Sequence, residues 1–262
     1  MKTISIVIPV YNEEDRLEKT FKVLKAFVVP HGLKLEKIIF VDDGSTDGTK
    51  IRIEKFIEES VKIHLISYKQ NRGKGHAISA GMKMSISDYT LFLDADMSTD
   101  IGEVRKFLPA MRNNVPIIIG TRKNGHSTVV RHQPFIRESM GKVFTFISNV
   151  VLNTWVTDFT CGFKAFSRET KDTLFPNLKV KDWGFDAELL FLGRISGFEF
   201  KEVPVIWSDD RRSKVKLWKD IPKSMLDLFY IRLSGFMGFY AIETLKPHPA
   251  VNFLKVLKSY LF

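Results

Sequence analysis

Short apolar runs rich in β-branched residues alternate with stretches of helical periodicity over the first 120 residues of this chain. Residues 4–10 have the composition of a strand, and apolar side chains from Leu17 to Phe27 then recur every three or four positions. The same signals predict strands at residues 37–41, 62–67, 89–93 and 116–119, separated by helices that end near Glu59, span 75–84 and span 101–112. Strands that alternate with helices form an α/β fold, a mostly parallel sheet with helices on both faces.

The pattern after Gly120 is less regular. A polar loop to Pro134 precedes a predicted helix over 135–155, a strand over 162–166, a helix over 183–196 and a strand over 199–207. Residues 218–245 and 250–262 again have a helical, apolar pattern. We therefore expect one α/β domain over residues 1–217 and a helical appendage over residues 218–262.

The composition is that of a globular protein, with 44% hydrophobic and 27% charged residues. The single cysteine, Cys161, excludes a disulfide scaffold and a cysteine-built zinc site, and it fits a reducing, cytosolic setting. The longest uncharged run, residues 143–157, has 15 residues, whereas a membrane-spanning helix needs about 20. We expect neither a spanning helix nor a signal peptide.

The net charge of +10 is concentrated in two segments. Residues 1–100 carry 15 basic and 15 acidic side chains, whereas residues 101–157 carry eight against two and residues 201–262 carry 11 against six. A uniformly basic surface favours nucleic acid, but an excess confined to two segments favours phosphate sites or an anionic membrane surface. Solvated faces account for many of these residues individually.

Each of the first four predicted strands ends in a polar cluster. The clusters are residues 9–13 (PVYNE), 42–45 (DDGS), 71–75 (NRGKG) and 94–96 (DAD). Ligands of a parallel α/β sheet bind beyond the carboxyl ends of its strands. The sequence therefore places three acidic clusters and one basic glycine loop around a single crevice.

Asp94 and Asp96 directly follow an apolar strand, which brings their carboxylates close together. Two oxygen ligands with open positions suit Mg²⁺ or Mn²⁺ shared with a substrate diphosphate. Helix capping is the structural alternative for this pair, and a turn is the alternative for Asp42 and Asp43. Residues 71–75 match neither a P-loop nor a dinucleotide fingerprint, which argues against ATP and NAD sites.

These segments resemble the inverting family 2 glycosyltransferases of GT-A fold, which use nucleotide-sugar donors. The resemblance is carried by residues 7–14 (VIPVYNEE), 41–47 (VDDGSTD), 71–75 (NRGKG), 93–96 (LDAD) and 120–122 (GTR). Residues 158–166 (DFTCGFKAF), 183–191 (WGFDAELLF), 203–207 (VPVIW) and 213–214 (SK) are similar to the dolichyl-phosphate glucose synthase branch. The processive-synthase signature Gln-x-x-Arg-Trp is absent from the sequence.

The resemblance implies a role for each matching residue. The residues that would hold the nucleoside are Pro9, Tyr11, Glu13 and Asp42. Asp94 would lie beside them, and with Asp96 it would bind the Mg²⁺ or Mn²⁺ ion that bridges the donor phosphates. Many relatives have a further metal ligand two positions after that aspartate; here it is Ser98, and water can complete the shell.

The chemistry calls for cations at two points. Departure of a nucleoside diphosphate builds negative charge, which a metal at Asp96 and the ammonium of Lys74 can stabilise. A lipid-phosphate acceptor, with a second pKa of about 6, is mostly anionic at pH 7 and needs cations more than a general base. The candidate cations for that phosphate are Arg122, Arg131, Arg137, Arg211, Arg212 and Lys214.

Asp186 and Glu188 lie in an otherwise apolar predicted helix, where carboxylates need partners. Sugar hydroxyls would serve, which makes both residues catalytic candidates. A buried ion pair with Lys or Arg is an equally good interpretation.

The C-terminal segment sets Val251, Leu254, Leu257 and Leu261 along one helical face and is rich in aromatic residues before that. Such helices can lie in the bilayer interface, with packing on the core or a dimer contact as the alternative. A lipid acceptor requires membrane contact, so we expect a peripheral enzyme on the cytosolic face of a membrane.

The sequence thus predicts a hexosyltransferase that moves glucose from UDP-glucose to dolichyl or another polyprenyl phosphate with inversion, for glycan assembly. UDP-N-acetylglucosamine or GDP-mannose as donor keeps the reaction and changes the sugar. A sugar nucleotidyltransferase would need a glycine-rich triphosphate loop after the first strand, and a nucleic-acid binder would leave the acidic strand ends unexplained. We therefore expect no nucleic-acid partner, and the oligomeric state is left open.

Overall fold

Strands and helices alternate in the computed structural model, which describes residues 1–123, 125–210, 217–240 and 242. The strands are β1 (Lys2–Val10), β2 (Leu33–Asp42), β3 (Ile63–Ser67), β4 (Tyr89–Leu93), β5 (Ile117–Thr121), β6 (Thr128–Arg131), β7 (Phe163–Ser167), β8 (Phe200–Pro204) and β9 (Ile206–Ser208). The helices are α1 (Glu14–Ala26), α2 (Thr49–Ile57), α3 (Lys74–Met84), α4 (Leu108–Arg112), α5 (Phe135–Leu152), α6 (Arg168–Leu174), α7 (Phe185–Ile195) and α8 (Leu217–Phe236). Two 3₁₀ segments span Ile101–Phe107 and Phe175–Asn177.

Within these residues, seven strands form one sheet in the order β3-β2-β1-β4-β7-β5-β8. All neighbours are parallel except β7, which runs antiparallel between β4 and β5. The register sets Val10 opposite Asp42 and Asp42 opposite Ser67, so β1, β2 and β3 end at the same edge. The predicted mostly parallel α/β sheet is confirmed, and its first four strands and four of its helices match the predicted order.

Apolar side chains cover both faces of the sheet, as a sheet with parallel crossovers requires. Ile4, Ile6 and Ile8 of β1 belong to the core that includes the apolar faces of α1 and α2. Val7 points the other way, into the core that includes α3, α5, α7 and α8. The period of two along β1 therefore fixes which helices lie on which face.

Three elements differ from the prediction. The predicted strand 199–207 is two strands: β8 pairs with β5 as far as Pro204, and β9 then pairs with β6. β6 itself, four residues long, lies inside the predicted polar loop. The predicted helix 101–112 begins as a 3₁₀ turn capped by Asp100, because Pro109 removes one donor of an α-helical ladder.

Helix α8 packs against α5 and α7 and confirms a helix at the start of the predicted appendage. The predicted helix 250–262 and the cations Arg211, Arg212 and Lys214 lie outside the described residues. None of the helices that the structure describes is long and apolar enough to cross a bilayer.

Candidate active site

A cavity of about 900 Å³ opens at the carboxyl edge of the sheet, where β1, β2 and β4 end. Its walls include most of the residues that the sequence predicts for the site. Those that line it are Pro9, Tyr11, Glu13, Lys74, Asp94, Asp96, Ser98, Arg122, Arg137 and Asp186. Asp42, Arg131 and Glu188 do not line it, and Lys214 is outside the described residues.

The turn after β4 is held by backbone contacts on both sides. The Asp94 N–H donates to the carbonyl oxygen of Gly162 at 3.2 Å, and the Thr20 hydroxyl donates to the carbonyl oxygen of Ala95 at 2.5 Å. A Cβ on Gly162 would lie 2.0 Å from the Asp94 carboxylate, so any other residue at that position would displace the carboxylate. The two carboxylates of this turn are therefore placed by neighbouring backbone rather than by a flexible loop.

Lys74, the first residue of α3, reaches into this turn. Its Nζ lies 2.6 Å from Asp94 Oδ1 and 5.1 Å from the centre of the Trp183 ring. Burial opposes the charged form of Lys74, but the carboxylates of Asp94 and Asp186 outweigh it and raise the lysine pKa. The ammonium therefore stays protonated beside the acidic turn.

Asp96 is the more enclosed carboxylate of the turn. Its Oδ1 accepts a hydrogen bond from the Ser98 N–H at 2.8 Å. Burial, and then the negative charge of Asp94, raise the pKa of Asp96. Two crowded carboxylates that repel each other are stabilised by a bound cation, so Asp94 and Asp96 fit a divalent ion that takes its other oxygens from a diphosphate.

No group of three or more His, Cys, Asp or Glu side chains suited to a metal occurs among the described residues. A closed, all-protein metal site is therefore not present in that part of the chain. Ser98 supports Asp96 through its backbone N–H, a contact that does not require it to be a ligand.

The end of the cavity where the sequence predicts the nucleoside is built by β1 and the residues just before α1. Glu13 precedes α1, and its carboxylate pairs with Arg16 at 3.1 Å, while Arg16 Nε lies 3.7 Å from Asp210. Tyr11 is 38% exposed, which leaves much of its ring open to the cavity. An aromatic face beside polar groups is suited to stacking on a base.

Asp42 and Asp43 have different environments. Asp42 is buried, and its carboxylate accepts hydrogen bonds from the Ser45 N–H at 3.0 Å and the Ser67 hydroxyl at 2.9 Å. Asp43 lines the cavity and accepts from the backbone N–H groups of Arg72 and Gly73, both at 2.9 Å. Of the two, Asp43 is the residue in position to meet a ligand.

Arg122, which follows β5, is already paired. Its guanidinium donates to both carboxylate oxygens of Asp158, at 2.7 and 2.8 Å, and lies 5.2 Å from the centre of the Trp207 ring. Burial opposes the charged form of Asp158, but Arg122 outweighs it and holds the pKa of Asp158 well below its usual range. The pair fixes Arg122 as a rigid part of the cavity wall.

Helix α5 supplies the rest of the basic wall. Arg137 lines the cavity, and burial lowers its pKa while Asp209 acts in the opposite direction. Lys123 also lines it, with Nζ donating to the Gly141 carbonyl oxygen at 3.1 Å and to the Thr145 hydroxyl at 2.9 Å. Arg131 on β6 is exposed and lies outside the cavity.

The two carboxylates predicted from the apolar helix separate. Asp186 lines the cavity and pairs with Lys164 Nζ at 2.5 Å. Burial raises the pKa of Asp186, and the opposing charge of Lys164 is the next largest influence. The buried ion pair considered from the sequence is therefore present, and it still leaves Asp186 facing the cavity.

Glu188 is buried away from the cavity. Its carboxylate accepts hydrogen bonds from the backbone N–H groups of Lys179 and Val180, at 2.9 and 2.8 Å, and from the Tyr240 hydroxyl at 2.7 Å. The sequence analysis considered sugar hydroxyls as the partners of Glu188; in the structure its partners are these protein groups. Glu188 joins the chain before α7 to the end of the α8 segment.

Sequence reasoning missed three residues of the cavity and its support: Asp43, Lys123 and Lys164. The signal for Lys164 was present, because a lysine between Phe163 and Ala165 in an apolar strand needs a buried partner. The signal for Asp43 was its place one residue beyond the strand end. Lys123 follows a predicted residue, but its contacts depend on where α5 packs.

Solved structures with the same fold belong to glucosyl-3-phosphoglycerate synthase from Mycobacterium tuberculosis. The complex with Mn²⁺, UDP-glucose and phosphoglyceric acid aligns with a TM-score of 0.67 at 19% identity, covering 88% of this chain and 79% of that one. The complex with Mn²⁺, UDP and glucosyl-3-phosphoglycerate gives 0.64 at 19%, covering 89% and 79%. These likenesses show that the chain has the GT-A fold.

The sequence comparisons identify the family within this fold. The model of glycosyl transferase family 2 matches residues 5–175. The dolichyl-phosphate beta-glucosyltransferase of Dictyostelium discoideum is 31% identical over 252 residues, covering 92% of this chain and 77% of the relative. The human and Saccharomyces cerevisiae enzymes of the same name are each 31% identical, covering 92% and 90% of this chain and 78% and 76% of theirs. The chain belongs to glycosyl transferase family 2, as its strand-end motifs predict.

Proposed function

We propose that this protein transfers glucose from UDP-glucose to dolichyl or another polyprenyl phosphate, with inversion, to give a β-linked lipid-phosphate glucose. The observation that carries the proposal is a likeness spanning at least 90% of the chain to relatives named for this activity in three distant organisms. The cavity supports it, because its lining combines acidic side chains that follow β4 with a basic wall made of side chains that follow β5 or lie on α5.

The donor lies at the acidic wall in this proposal. Asp94 and Asp96 hold Mg²⁺ or Mn²⁺, and the M. tuberculosis synthase solved with Mn²⁺ and UDP-glucose supports a divalent ion in this fold. Such an ion neutralises the negative charge that develops on the departing diphosphate. Tyr11, Glu13 and Asp43 border the place for the nucleoside, and Asp186 faces the place for the sugar.

The acceptor enters from the basic wall. Arg137 and Lys123 attract the lipid phosphate, and Arg122, fixed by Asp158, keeps the wall positive. An anionic phosphate oxygen attacks the anomeric carbon on the face opposite to the leaving diphosphate, which inverts the configuration. No protein base is required, because the acceptor phosphate has already lost its proton at neutral pH.

Two packed helices beside the cavity give the protein a surface for the lipid's membrane. Helix α5 exposes Ile136, Val143, Phe146 and Val150 along one stripe, and α8 exposes Leu226, Phe229, Leu233 and Phe236 along another. We call these eight side chains the apolar ridge. Side chains of this size, 54–70% exposed, are typical of an interfacial contact. We propose peripheral attachment to the cytosolic face of a membrane through this ridge and the helical appendage.

A donor panel tests the proposal. Purified protein with a polyprenyl phosphate and Mn²⁺ is offered UDP-glucose, UDP-N-acetylglucosamine and GDP-mannose, each with a labelled sugar, and the lipid phase is extracted. We expect label in the lipid phase from UDP-glucose, and loss of that product in the Asp96→Asn variant. Product from a different donor would reassign the sugar, and label confined to water-soluble products would contradict a lipid acceptor.

A further inference from the structure

The ammonium of Lys74 and a divalent ion compete for the same carboxylate. Lys74 Nζ lies 2.6 Å from Asp94 Oδ1, and both side chains are partly enclosed, at 16% and 34% exposure. An ion bound by Asp94 and Asp96 would bring two positive charges next to this ammonium. At such separations in a partly buried site, like charges repel strongly. Lys74 and the ion therefore compete for the Asp94 carboxylate, and binding of one weakens the contact of the other.

The backbone beneath Lys74 leaves only its side chain free to respond. The N–H of Gly75 donates to the carbonyl oxygen of Lys181 at 2.7 Å. A Cβ on Gly73 would lie 2.5 Å from that same oxygen, and one on Gly75 would lie 2.6 Å from the Phe185 side chain. The start of α3 is thus pressed against residues 181–185, and adjustment falls to the rotatable lysine stem.

A nucleoside diphosphate offers the ammonium a second partner. The diphosphate carries negative charge on several oxygens, and Lys74 lines the cavity that would receive it. When the diphosphate brings its own charge, Lys74 can leave Asp94 and pair with a phosphate oxygen, and the ion can then bind Asp94. Each ligand therefore raises the affinity of the protein for the other, which is positive coupling between two sites.

We propose that Lys74 acts as the resident counter-ion of Asp94 and moves to the donor diphosphate when the metal binds, so that metal and nucleotide bind cooperatively. The inference rests on the proposed function, since it requires a metal and a nucleotide at the acidic wall. It assigns Lys74 a role in the order of assembly, in addition to stabilising the leaving group. Without this lysine, the metal would bind more readily and the nucleotide less readily.

The test measures the two ligands separately, with the full chain and without turnover. Mn²⁺ binding in the absence of nucleotide is followed by the electron paramagnetic resonance signal of the free ion. UDP binding in the absence of metal is measured by calorimetry in EDTA. We expect Lys74→Met to bind Mn²⁺ about tenfold more tightly and UDP about tenfold more weakly than the wild type, opposite shifts within the usual range of coupling.

Two variants serve as controls. Lys74→Arg keeps the charge and should bind Mn²⁺ as weakly as the wild type. Lys106→Met removes an ion pair of the same length, 2.6 Å to Glu103, that lies outside the cavity. It should change the affinity for neither Mn²⁺ nor UDP. Far-UV circular dichroism checks that each variant is folded, and Lys74→Gln replaces Lys74→Met if that variant is not.

The outcomes separate this inference from the function on which it rests. If removing the lysine charge leaves Mn²⁺ binding unchanged or weaker, the competition at Asp94 is wrong even where the enzyme is active. If Mn²⁺ binds more tightly but UDP binding is unchanged, the transfer to the diphosphate is wrong. If no protein in the series binds Mn²⁺ under any condition, the proposed metal fails and this inference fails with it.

Discussion

Gly162 controls the position of Asp94 although it has no side chain. A methyl group there would lie 2.0 Å from the Asp94 carboxylate, far inside van der Waals contact. We expect Gly162→Ala to push that carboxylate out of the turn and to lower metal-dependent UDP binding at least tenfold, a loss of about 1.4 kcal/mol or more. Calorimetry in the presence of Mn²⁺ measures it.

The control for this variant is Gly125→Ala. Gly125 has φ +76°, and no atom of the described residues lies within 4 Å of its added Cβ, so alanine there strains the backbone without a collision in that part of the chain. We expect a stability cost of about 1 kcal/mol and unchanged UDP binding. Equal loss of UDP binding in both variants would contradict a specific effect of the contact between residue 162 and Asp94.

Arg137 is the cavity cation that we link to the acceptor, because α5 presents it from the basic wall. We expect Arg137→Ala to raise the KM for polyprenyl phosphate roughly tenfold, the loss of one charge-assisted contact of about 1.4 kcal/mol, with UDP affinity little changed. Arg105→Ala, a 65% exposed arginine outside the cavity, is the matched control. Comparable losses for both substrates would contradict an acceptor role.

Residue identities at the strand ends were predictable, and the direction of each side chain was not. The pattern Asp42-Asp43 marks a strand end, but only the pairing of Asp42 with Ser67 shows that Asp42 still belongs to β2. The Asp42 carboxylate accepts hydrogen bonds from Ser45 and Ser67, whereas the Asp43 carboxylate, which lines the cavity, accepts them from Asn71, Arg72 and Gly73. A register shift of one residue would exchange the two roles.

At the scale of elements, the Arg122–Asp158 pair ties the end of β5 to the segment before β7. Asp158 is fully buried, and removing one partner of a buried pair leaves an uncompensated charge. We expect Asp158→Asn to lower the free energy of unfolding at pH 7 by about 3–5 kcal/mol, measured in urea. Glu54→Gln, which breaks an exposed pair with Lys50, should cost less than about 1 kcal/mol.

This pair also predicts a pH dependence. The native pKa of Asp158 is depressed from its ordinary value of 3.8, so its contribution to stability is complete above that pH and is lost as the pH falls towards the native pKa. The stability gap between the wild type and Asp158→Asn should therefore narrow as the pH falls from 4 towards 2. A gap that stays constant over that range would mean that the charge of Asp158 is not what stabilises the fold.

Glu188 joins α7, the chain before it, and the Tyr240 segment that follows α8. The Tyr240 hydroxyl donates to Glu188 at 2.7 Å, and burial followed by the charge of Glu188 raises the tyrosine pKa. We expect Tyr240→Phe to lower the free energy of unfolding by about 1.5–3 kcal/mol, as for a hydrogen bond to a charged group, with no change in UDP affinity. Tyr230→Phe, 48% exposed, is the control. Loss of UDP affinity in Tyr240→Phe but not in Tyr230→Phe would mean that the hydrogen bond between Tyr240 and Glu188 shapes the donor site.

Element order was predictable because periodicity is a local signal, whereas tertiary pairing decided the exceptions. Pro204 could be recognised as a strand terminator, but nothing local shows that residues 206–208 pair with 128–131. The antiparallel placement of β7 between β4 and β5 likewise depends on long-range contacts. The predicted catalytic pair Asp186 and Glu188 separated for a similar reason, since their two partners, Lys164 and Tyr240, come from distant parts of the chain.

At the scale of the whole molecule, much of the basic excess of residues 101–157 lies in the lining of the cavity. Four of the eight basic residues between 101 and 157 line it: Arg122, Lys123, Arg137 and Lys142. The only acidic residue of that segment in the lining is Glu138, which pairs with Lys142 at 2.9 Å. The asymmetry read from the sequence is therefore concentrated in the wall where we propose that the acceptor phosphate binds, and four residues of the apolar ridge lie on α5, the helix that carries Arg137 and Lys142.

The apolar ridge predicts where the protein meets a bilayer. Phe146 and Phe229 are 68% and 62% exposed, so replacing both by serine costs little packing but removes two large apolar groups from the ridge. At about 1.5–3 kcal/mol for a fully buried apolar side chain, partial insertion of two rings predicts roughly a 10- to 100-fold loss of partition onto vesicles containing anionic phospholipid. Sedimentation of the full chain with such vesicles measures it.

The control, Ile51→Ser with Val61→Ser, changes two exposed residues next to the core on the α1 and α2 side of the sheet and should leave binding intact. Equal losses from both double variants would indicate a general effect of surface hydrophobicity. Undiminished binding of the ridge variant would mean that the apolar ridge is not the membrane contact.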